Sequence, residues 1–242
     1  MLISYHLLSN RGDRSNNEDC VGSYEKDGEY CFVLADGLGG HERGEVASRM
    51  VVDASVNLFK ETGFDEFFMR NAFEIAQEDL IKRQIEEIRY DDYKSTMVLL
   101  CIKDSMINWG HIGDSRLYLF KNKKKVLHTL DHSVPQFLVN AGEIEDKDIR
   151  NHPDRSMILR AMGIEWERPK YDIAIPLEPE SNMAFLMATD GFWELIEDED
   201  MEKCLKKTKN VHEWLKSMEQ IVVENGAGRN MDNYSAIGVL ID

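Results

Sequence analysis

The sequence predicts an α+β fold, an antiparallel sandwich of strands with helices packed on its outside. Short apolar or alternating runs come first, two helical segments follow, and strands return before a second group of helices. This order does not fit the regular strand–helix alternation of a parallel sheet. No repeat, low-complexity tract or Gly/Ser/Pro-rich linker divides the 242 residues. We therefore expect one domain that covers residues 1–242.

The first ninety or so residues begin as strands and change to a helical period at Gly44. Apolar residues then recur on one helical face until Gly63, and a second helix with a densely charged outer face extends to about Ile88. Before Gly44, the alternation and turn residues predict strands over 2–8, 19–24 and 29–35.

Strand character returns in the second half, around an irregular stretch at residues 134–164 that we interpret as an insertion or flap. A basic cluster at residues 121–125 lies between two apolar runs, and a solvated hairpin tip explains it better than an anion-binding patch. The remaining predicted elements are strands over 96–102, 106–120, 125–130, 171–175, 183–189 and 235–241, and helices over 198–207 and 211–225.

Composition limits the possible partners and compartments. The net charge of −16 disfavours nucleic acid, because phosphate binding needs an excess of Lys and Arg. No apolar run is long enough for a membrane span, and the N-terminus lacks the layout of a signal peptide. The four cysteines are scattered without a CxxC pair, which indicates reduced thiols and a cytoplasmic location rather than a zinc ribbon or a disulfide scaffold.

Several acids occupy the same kind of position, at the start or end of a predicted strand. They are Asp36 and Asp190, each following an apolar run and preceding glycine; Asp114 in a Gly-Asp-Ser-Arg segment; Asp232 before the last strand; and Glu18 with Asp19 before an early one. Each alone is explained by a helix cap, a turn or a solvated loop. Antiparallel neighbours bring strand ends and starts together, so these acids can converge at one rim of the sandwich. Converging carboxylates indicate hard cations such as Mg²⁺, Mn²⁺ or Ca²⁺ rather than zinc.

The histidines offer no competing metal site in the sequence. His41, His111, His132 and His152 are separated along the chain, and we interpret each as structural.

Two carboxylate-held cations about 3.5–4 Å apart would share a water, lower its pKa and direct it at a phosphorus atom. Such a site also needs a cation for the phosphate oxygens, which arginine binds in bidentate fashion. Arg14, four residues before Glu18, is the candidate, against the alternative of a surface arginine on a loop. The residues alone therefore predict metal-assisted phosphoester hydrolysis.

An ordered set of short motifs covers more than 200 residues, and with it the sequence resembles the type 2C metal-dependent serine/threonine protein phosphatases (PPM family) in their compact bacterial form. The motifs are Arg14-x-x-Asn17-Glu18-Asp19, Asp36-Gly37-Leu38-Gly39-Gly40-His41, Gly44-Glu45-x-Ala47-Ser48, Ser95-Thr96, Gly113-Asp114-Ser115-Arg116, Asp131-His132-Ser133, Leu159-Arg160-Ala161-Met162-Gly163, Asp190-Gly191-Phe192-Trp193-Glu194 and Asp232-Asn233-x-Ser235.

The resemblance implies a four-layer α-β-β-α sandwich: two antiparallel sheets flanked by helix pairs, with a binuclear Mn²⁺ or Mg²⁺ centre at one end. It implies that Asp36 bridges the two metals and that the Gly37 carbonyl binds one of them, while Asp190 and Asp232 hold the other. The irregular stretch 134–164 corresponds to the family's flap, which is thought to affect substrate choice.

The resemblance implies further roles around these ligands. Glu18 and Asp19 would act mainly through metal-bound waters, and Asp114, with Asp190, matches the position of a third, weaker ion in bacterial members. Arg14 would bind the phosphate, so that Arg14, Asp36 and Asp190 are the residues expected to be catalytic.

Leu38 departs from the pattern of the wider family. Many eukaryotic members carry a histidine directly after the Asp-Gly pair, proposed as the general acid, whereas this chain has Leu38 there, as bacterial members do. We do not transfer the acid role to His41, three residues further on. A metal-bound water is an alternative proton source.

The expected function is hydrolysis of phosphoserine and phosphothreonine in proteins by direct attack of a metal-bridging water. The expected partners are phosphorylated proteins made by a serine/threonine kinase, with no nucleic acid and no membrane, and the expected state is a monomer. Two alternatives are a phosphatase of a small phosphorylated metabolite and a catalytically silent sensor or scaffold of the same fold. The second is disfavoured because no acid at a metal position has been lost.

The first alternative predicts a different substrate preference, which gives a direct test. We expect turnover of phosphopeptides to exceed that of free sugar phosphates when the same protein is assayed with both. A strong preference for sugar phosphates would overturn the protein-phosphatase interpretation.

Overall fold

In residues 1–38 and 43–242, which a computed structural model describes, eleven strands form two antiparallel sheets. In spatial order the first sheet contains β1 (Ile3–Asn10), β11 (Tyr234–Ile241), β10 (Met183–Ala188), β7 (Arg116–Lys121) and β8 (Lys124–His128). The second contains β2 (Asp19–Lys26), β3 (Glu29–Leu38), β5 (Met97–Lys103), β6 (Met106–Ile112) and β9 (Asp172–Ile173), with β4 (Lys94–Ser95) also paired to β3. Gly39, Gly40 and His41 of the glycine-rich motif lie outside the described residues.

Helices cover the outer faces of both sheets. The helices are α1 (Gly44–Thr62), α2 (Phe68–Glu87), α3 (Val134–Asn140), α4 (Asp190–Trp193), α5 (Asp198–Lys207) and α6 (Val211–Gly226), with a 3₁₀ helix at Asp146–Asn151. Helices α1 and α2 pack on the second sheet, and α4, α5 and α6 pack on the first. The predicted α-β-β-α sandwich is therefore confirmed. Helix α4 is not predicted from the sequence, because its single turn is too short to show a helical period.

Strand β3 is apolar without interruption because both of its faces are buried. Cys31, Val33 and Ala35 face the core under α1 and α2. Phe32 and Leu34 face the core between the sheets, where they meet side chains of the first sheet. A strand buried on both faces loses the apolar–polar alternation of a half-exposed strand. Burial of each of the larger side chains, Phe32, Val33 and Leu34, stabilises the fold by about 1.5–3 kcal/mol.

The prediction of one strand over residues 106–120 is wrong. The chain leaves the second sheet after Ile112, and Arg116 starts β7 in the first sheet. Gly113 makes the turn with a φ of +103°, where a Cβ would lie 2.6 Å from the Thr96 side chain. All residues from His111 to Phe120 are buried, so the hydropathy pattern contains no signal of the change of sheet.

The basic cluster forms a hairpin tip between β7 and β8, as predicted. Asn122 and Lys123 both take positive φ values at the turn. The lysines around the turn have acidic partners: Lys121 is 2.8 Å from Glu180 and Lys124 is 2.8 Å from Glu202. These ion pairs agree with a solvated turn rather than an anion-binding patch.

The irregular stretch 134–164 begins with α3 and the 3₁₀ helix and is fixed to the body at its far end. Met162 pairs with Ser95 through two backbone hydrogen bonds. Gly163 donates to Gln77 Oε1 at 2.7 Å and accepts from Gln84 Nε2 at 2.7 Å, both on α2.

No helix among the described residues is long and apolar enough to span a bilayer.

A buried ion pair joins the start of β7 to the segment after β8. Arg116 donates from Nε and Nη2 to the two carboxylate oxygens of Asp131, at 2.7 and 2.8 Å, and both side chains are buried. The Arg116 guanidinium also lies 3.6 Å from the centre of the Trp193 ring. Such a pair is bidentate and shielded from water, so losing one partner leaves an uncompensated buried charge.

We expect Asp131→Asn to lower the free energy of unfolding by about 3–5 kcal/mol, because it leaves the Arg116 charge buried without its partner. Urea denaturation in the presence of a chelator measures this without interference from bound metal. The matched control is Arg70→Gln, which removes an exposed ion pair with Glu74 on α2 and should leave unfolding nearly unchanged. Equal small effects for both variants would contradict the expectation.

Candidate metal centre

Carboxylates from distant parts of the chain meet in one cavity of about 520 Å³. Of the residues predicted to bind metal, those that line it are Glu18, Asp36, Gly37, Asp114, Asp190 and Asp232. Asp19 lies behind the lining and is almost fully buried. The structure thus brings together every acid singled out in the sequence.

Antiparallel pairing produces this convergence. Asp19 at the start of β2 is the register partner of Asp36 near the end of β3. Asp190 follows the end of β10, and Asp232 precedes the start of β11, its antiparallel neighbour. Asp114 lies in the short link that carries the chain from one sheet to the other.

The glycine after each of two acids is required by close backbone contact. A Cβ on Gly37 would lie 2.1 Å from the carbonyl oxygen of Gly44, where α1 begins. A Cβ on Gly191 would lie 2.1 Å from the carbonyl oxygen of Asn233. Both Asp-Gly pairs therefore occur where another backbone segment packs directly against the turn.

Hydroxyl groups hold the backbone of Asp36 in place. The Asp36 N–H donates to Thr96 Oγ1 at 2.9 Å, and its carbonyl accepts from the Thr96 N–H and from Ser95 Oγ. Thr96 Oγ1 is also 2.8 Å from Ser115 Oγ, beside Asp114. This buried network links two of the acid-bearing turns. These hydroxyl residues belong to the family motifs, but no pattern in the sequence predicts their hydrogen bonds to Asp36.

Asn233 ties the loop that carries Arg14 to the start of β11. Its side-chain oxygen accepts from the Glu18 N–H at 2.7 Å, and its amide donates to the carbonyls of Arg11 and Asn16, both at 2.8 Å. The only sign of this role in the sequence is the position of Asn233, directly after the acid that precedes the last strand. Asn side chains commonly satisfy nearby loop backbone in this way.

Burial and mutual repulsion shift the carboxyl groups toward their neutral forms. Burial raises the pKa of Asp36 well above its usual value, and the charges of Asp19 and Asp190 raise that pKa further. Burial and Asp190 likewise raise the pKa of Asp114, and burial raises the pKa of Asp19 to about 7. Positive charge at this end of the protein would oppose all these shifts.

The donor set fits hard divalent cations. Asp19 Oδ1 and Asp114 Oδ1 are buried without a hydrogen-bond partner among the described residues. Arg14 is the only basic side chain among the described residues that line the cavity. One exposed guanidinium cannot neutralise six carboxyl groups, and an oxygen-only set is the kind that Mg²⁺, Mn²⁺ and Ca²⁺ prefer.

Arg14 lies at the rim of the cavity, as the phosphate-binding prediction requires, but it also contacts an acid. Its Nη2 is 2.7 Å from Asp232 Oδ2, and both side chains are about half exposed, at 48% and 47%. The hydrogen bond to Asp232 and the charge of that carboxylate raise the pKa of Arg14 above its usual value. The lining of the cavity also includes Leu38 and, from the 134–164 stretch, Ser156 and Ile158. That stretch therefore borders the site.

The expectation that the histidines stay apart is wrong for two of them. His111 and His132 stack with ring centres 4.7 Å apart and planes at 11°, and His132 Nε2 is 3.0 Å from Asp172 Oδ2. Candidate ligand atoms of these three residues lie within 4.8 Å of one another. Sequence spacing could not show this, because the pairing of β6 with β9 and the return of the chain after β8 create it.

The arrangement of this cluster suits hydrogen bonding better than metal binding. His132 Nδ1 accepts from the Gly113 N–H, so its Nε2 carries the proton donated to Asp172. Parallel rings place their nitrogen lone pairs in separate planes, whereas a shared metal needs both lone pairs aimed at one point. Burial lowers the pKa of His111 to about 4, which keeps that ring neutral. The cluster holds Gly113, next to Asp114.

Comparison with known proteins agrees with this geometry. Residues 8–231 match the family described as protein phosphatase 2C. The chain is 30% identical over 207 residues to the serine/threonine phosphatase stp of Listeria monocytogenes, covering 83% of this chain and 81% of that protein.

Two solved structures share the whole fold. The serine/threonine phosphatase Stp1 from Staphylococcus aureus matches with a TM-score of 0.89 at 25% identity, over 100% of this chain and 96% of that one. The catalytic domain of the phosphatase PstP, solved in complex with 2 manganese ions, matches with a TM-score of 0.82 at 25% identity over 99% of both chains. The chain therefore belongs to the protein phosphatase 2C family of serine/threonine phosphatases.

Proposed function

We propose that this protein hydrolyses phosphoserine and phosphothreonine in proteins with the help of Mn²⁺ or Mg²⁺. The observation that carries the proposal is the convergence of six acids and one arginine at a single cavity. The names of its relatives, which are serine/threonine phosphatases, support the same substrate class. We also propose that residues 1–242 act as one catalytic domain.

The proposed ligands are those that the acid pattern and the resemblance indicated. Asp36 would bridge two ions, the Gly37 carbonyl would bind one of them, and Asp190 and Asp232 would hold the other. The manganese ions in the PstP complex support a binuclear centre. The partnerless oxygens of Asp19 and Asp114 support two further proposals. Glu18 and Asp19 would act through water, and Asp114 with Asp190 would hold a third, weaker ion.

The chemistry that such ions supply is activation of a water molecule for attack on phosphorus. The protein supplies the positioning. Asp36 lies near the end of β3, Asp190 begins α4 just after β10, and the Ser95–Thr96 pair fixes the Asp36 backbone. Arg14 would turn from Asp232 to the phosphate oxygens, which offer it a bidentate partner. Leu38 on the cavity wall offers no proton, so the proposal gives no acid role to that position.

The proposal makes phosphorylated products of a serine/threonine kinase the substrates. A phosphatase of small metabolites is less favoured, because the cavity shares lining residues with a second one of about 470 Å³, which leaves room for a larger substrate beyond the phosphate. The cytoplasmic location and the monomeric state stay predictions.

We expect Asp190→Asn to abolish at least about 99% of Mn²⁺-dependent hydrolysis of p-nitrophenyl phosphate, because it removes a charged ligand at the centre of the site. The matched control is Asp53→Asn, which changes an exposed acid on α1 away from the cavity. Calorimetric titration with Mn²⁺ would show weaker binding in the first variant only. An unmutated protein that is inert with every divalent metal would support the silent-scaffold alternative instead.

We expect Arg14→Ala to raise the KM for a phosphopeptide about tenfold and to leave Mn²⁺ binding intact, because the guanidinium is proposed to contact phosphate. Arg14→Lys keeps the charge without the bidentate geometry and should give an intermediate KM. Arg11→Ala, on the same exposed loop, is the control. Loss of Mn²⁺ in calorimetry of Arg14→Ala would show that Arg14 acts through Asp232 and not through the phosphate.

A further inference from the structure

A second cavity of about 470 Å³ opens directly from the metal centre. The two cavities share four lining residues, and the remaining part of the second one lies between the 134–164 stretch and the loop before β11. The shared residues are Arg14, Ser156, Asp190 and Asp232. A substrate with its phosphate at the metal centre can therefore extend its chain into this groove.

The groove concentrates arginine in a protein whose net charge is −16. Beyond Arg14, its lining includes Arg150, Arg155 and Arg229. Two of the acids in the same lining, Asp190 and Asp232, are the proposed metal ligands, so bound cations would cancel their charge. The groove would then carry a local positive potential on an otherwise acidic surface.

The guanidinium of Arg150 is held by contacts within the protein and is not available to a ligand. Its side chain is buried, donates to the Trp193 carbonyl, and lies 2.8 Å from Asp198 Oδ1. It also lies 3.4 Å from Glu197. We therefore exclude Arg150 from substrate recognition.

Arg155 and Arg229 remain available to a ligand. Arg155 is 47% exposed, and its Nε lies 3.1 Å from Glu194, while its Nη atoms have no side-chain partner in residues 1–38 and 43–242. Arg229 is exposed, and no side chain among the described residues bonds to its guanidinium. The two come from separate parts of the chain, Arg155 from the 134–164 stretch and Arg229 from the loop between α6 and β11, and both line the groove.

We propose that Arg155 and Arg229 form a subsite for a second anionic group on the substrate, a carboxylate or a further phosphate near the residue being dephosphorylated. This inference rests on the proposed phosphoprotein phosphatase activity. A peptide advances about 3.3–3.6 Å per residue, so an acidic side chain within about three residues of the phosphorylated one reaches the groove. Arginine suits either anion because it can donate two parallel hydrogen bonds to both.

The test compares three phosphoserine peptides that differ only at the positions within three residues of the phosphoserine. One carries alanines there, one carries aspartates, and one carries a nonhydrolysable phosphonate side chain. With Mn²⁺, we expect kcat/KM of the unmutated protein to be about tenfold higher for an anionic peptide than for the alanine peptide, mainly through KM. A preference for aspartate identifies a carboxylate as the ligand, and a preference for the phosphonate alone identifies a second phosphate.

Two variants connect this preference to the named residues. Arg155→Gln and Arg229→Gln should each reduce the ratio of anionic to neutral kcat/KM about threefold or more, and the double variant should bring the ratio close to one. The matched control is Arg89→Gln. Arg89 is 49% exposed and lies 3.1 Å from Asp92, the same exposure and spacing as Arg155 with Glu194, but it lies outside the groove. It should keep the full ratio.

The outcomes separate this inference from the activity on which it rests. Equal kcat/KM for all three peptides would overturn the subsite and leave the phosphatase activity standing, since the alanine peptide would still be hydrolysed. A double variant that loses the alanine and aspartate peptides equally would also overturn it, because a general defect is not recognition of a second charge. Failure of the unmutated protein on every peptide would instead overturn the proposed function.

Discussion

Repulsion between six carboxyl groups at one end of the sandwich is the constraint on which the rest of the site depends. Burying like charges together costs several kcal/mol per ion unless cations or protons compensate them, and among the described residues Arg14 is the one basic side chain in the lining of this cavity. The two sheets hold these carboxyl groups in place. Strand pairing fixes the backbones of Asp19 and Asp36 in register, and two large apolar cores stabilise those strands. The stability of the sandwich thus offsets the cost of a site built to receive metal.

Small residues and neutral polar groups make this arrangement possible. Gly37 and Gly191 let a neighbouring backbone approach each acidic turn to a distance that no side chain would allow. Thr96 and Asn233 then supply hydrogen bonds to the turns without adding charge. Neutral support matters here, because a further acid would increase the repulsion and a lysine or arginine would compete with the metal for the carboxylates.

The surroundings of the site separate two tasks. The cavity with the acids is suited to metal and to the phosphate being removed, whereas the adjoining groove adds Arg155 and Arg229, which are not proposed metal ligands. The histidine–aspartate cluster contributes to neither cavity lining. It supports the turn at Gly113, where the chain passes between sheets and presents Asp114.

The class of fold, the helices α1, α2, α5 and α6, the identities of the acids and the family all follow from the sequence alone. Those features are local: apolar periodicity, Asp-Gly pairs at the ends of apolar runs, and ordered short motifs. The division of residues 106–120 between two sheets is visible only in three dimensions, because the buried segment from His111 to Phe120 has no polar face to mark a change of direction. The same holds for the contact of Arg14 with Asp232, the stacking of His111 on His132, and the presence of Arg155 and Arg229 in one groove. These contacts join residues far apart in the chain, and their distances depend on strand register and loop path, which no local pattern encodes.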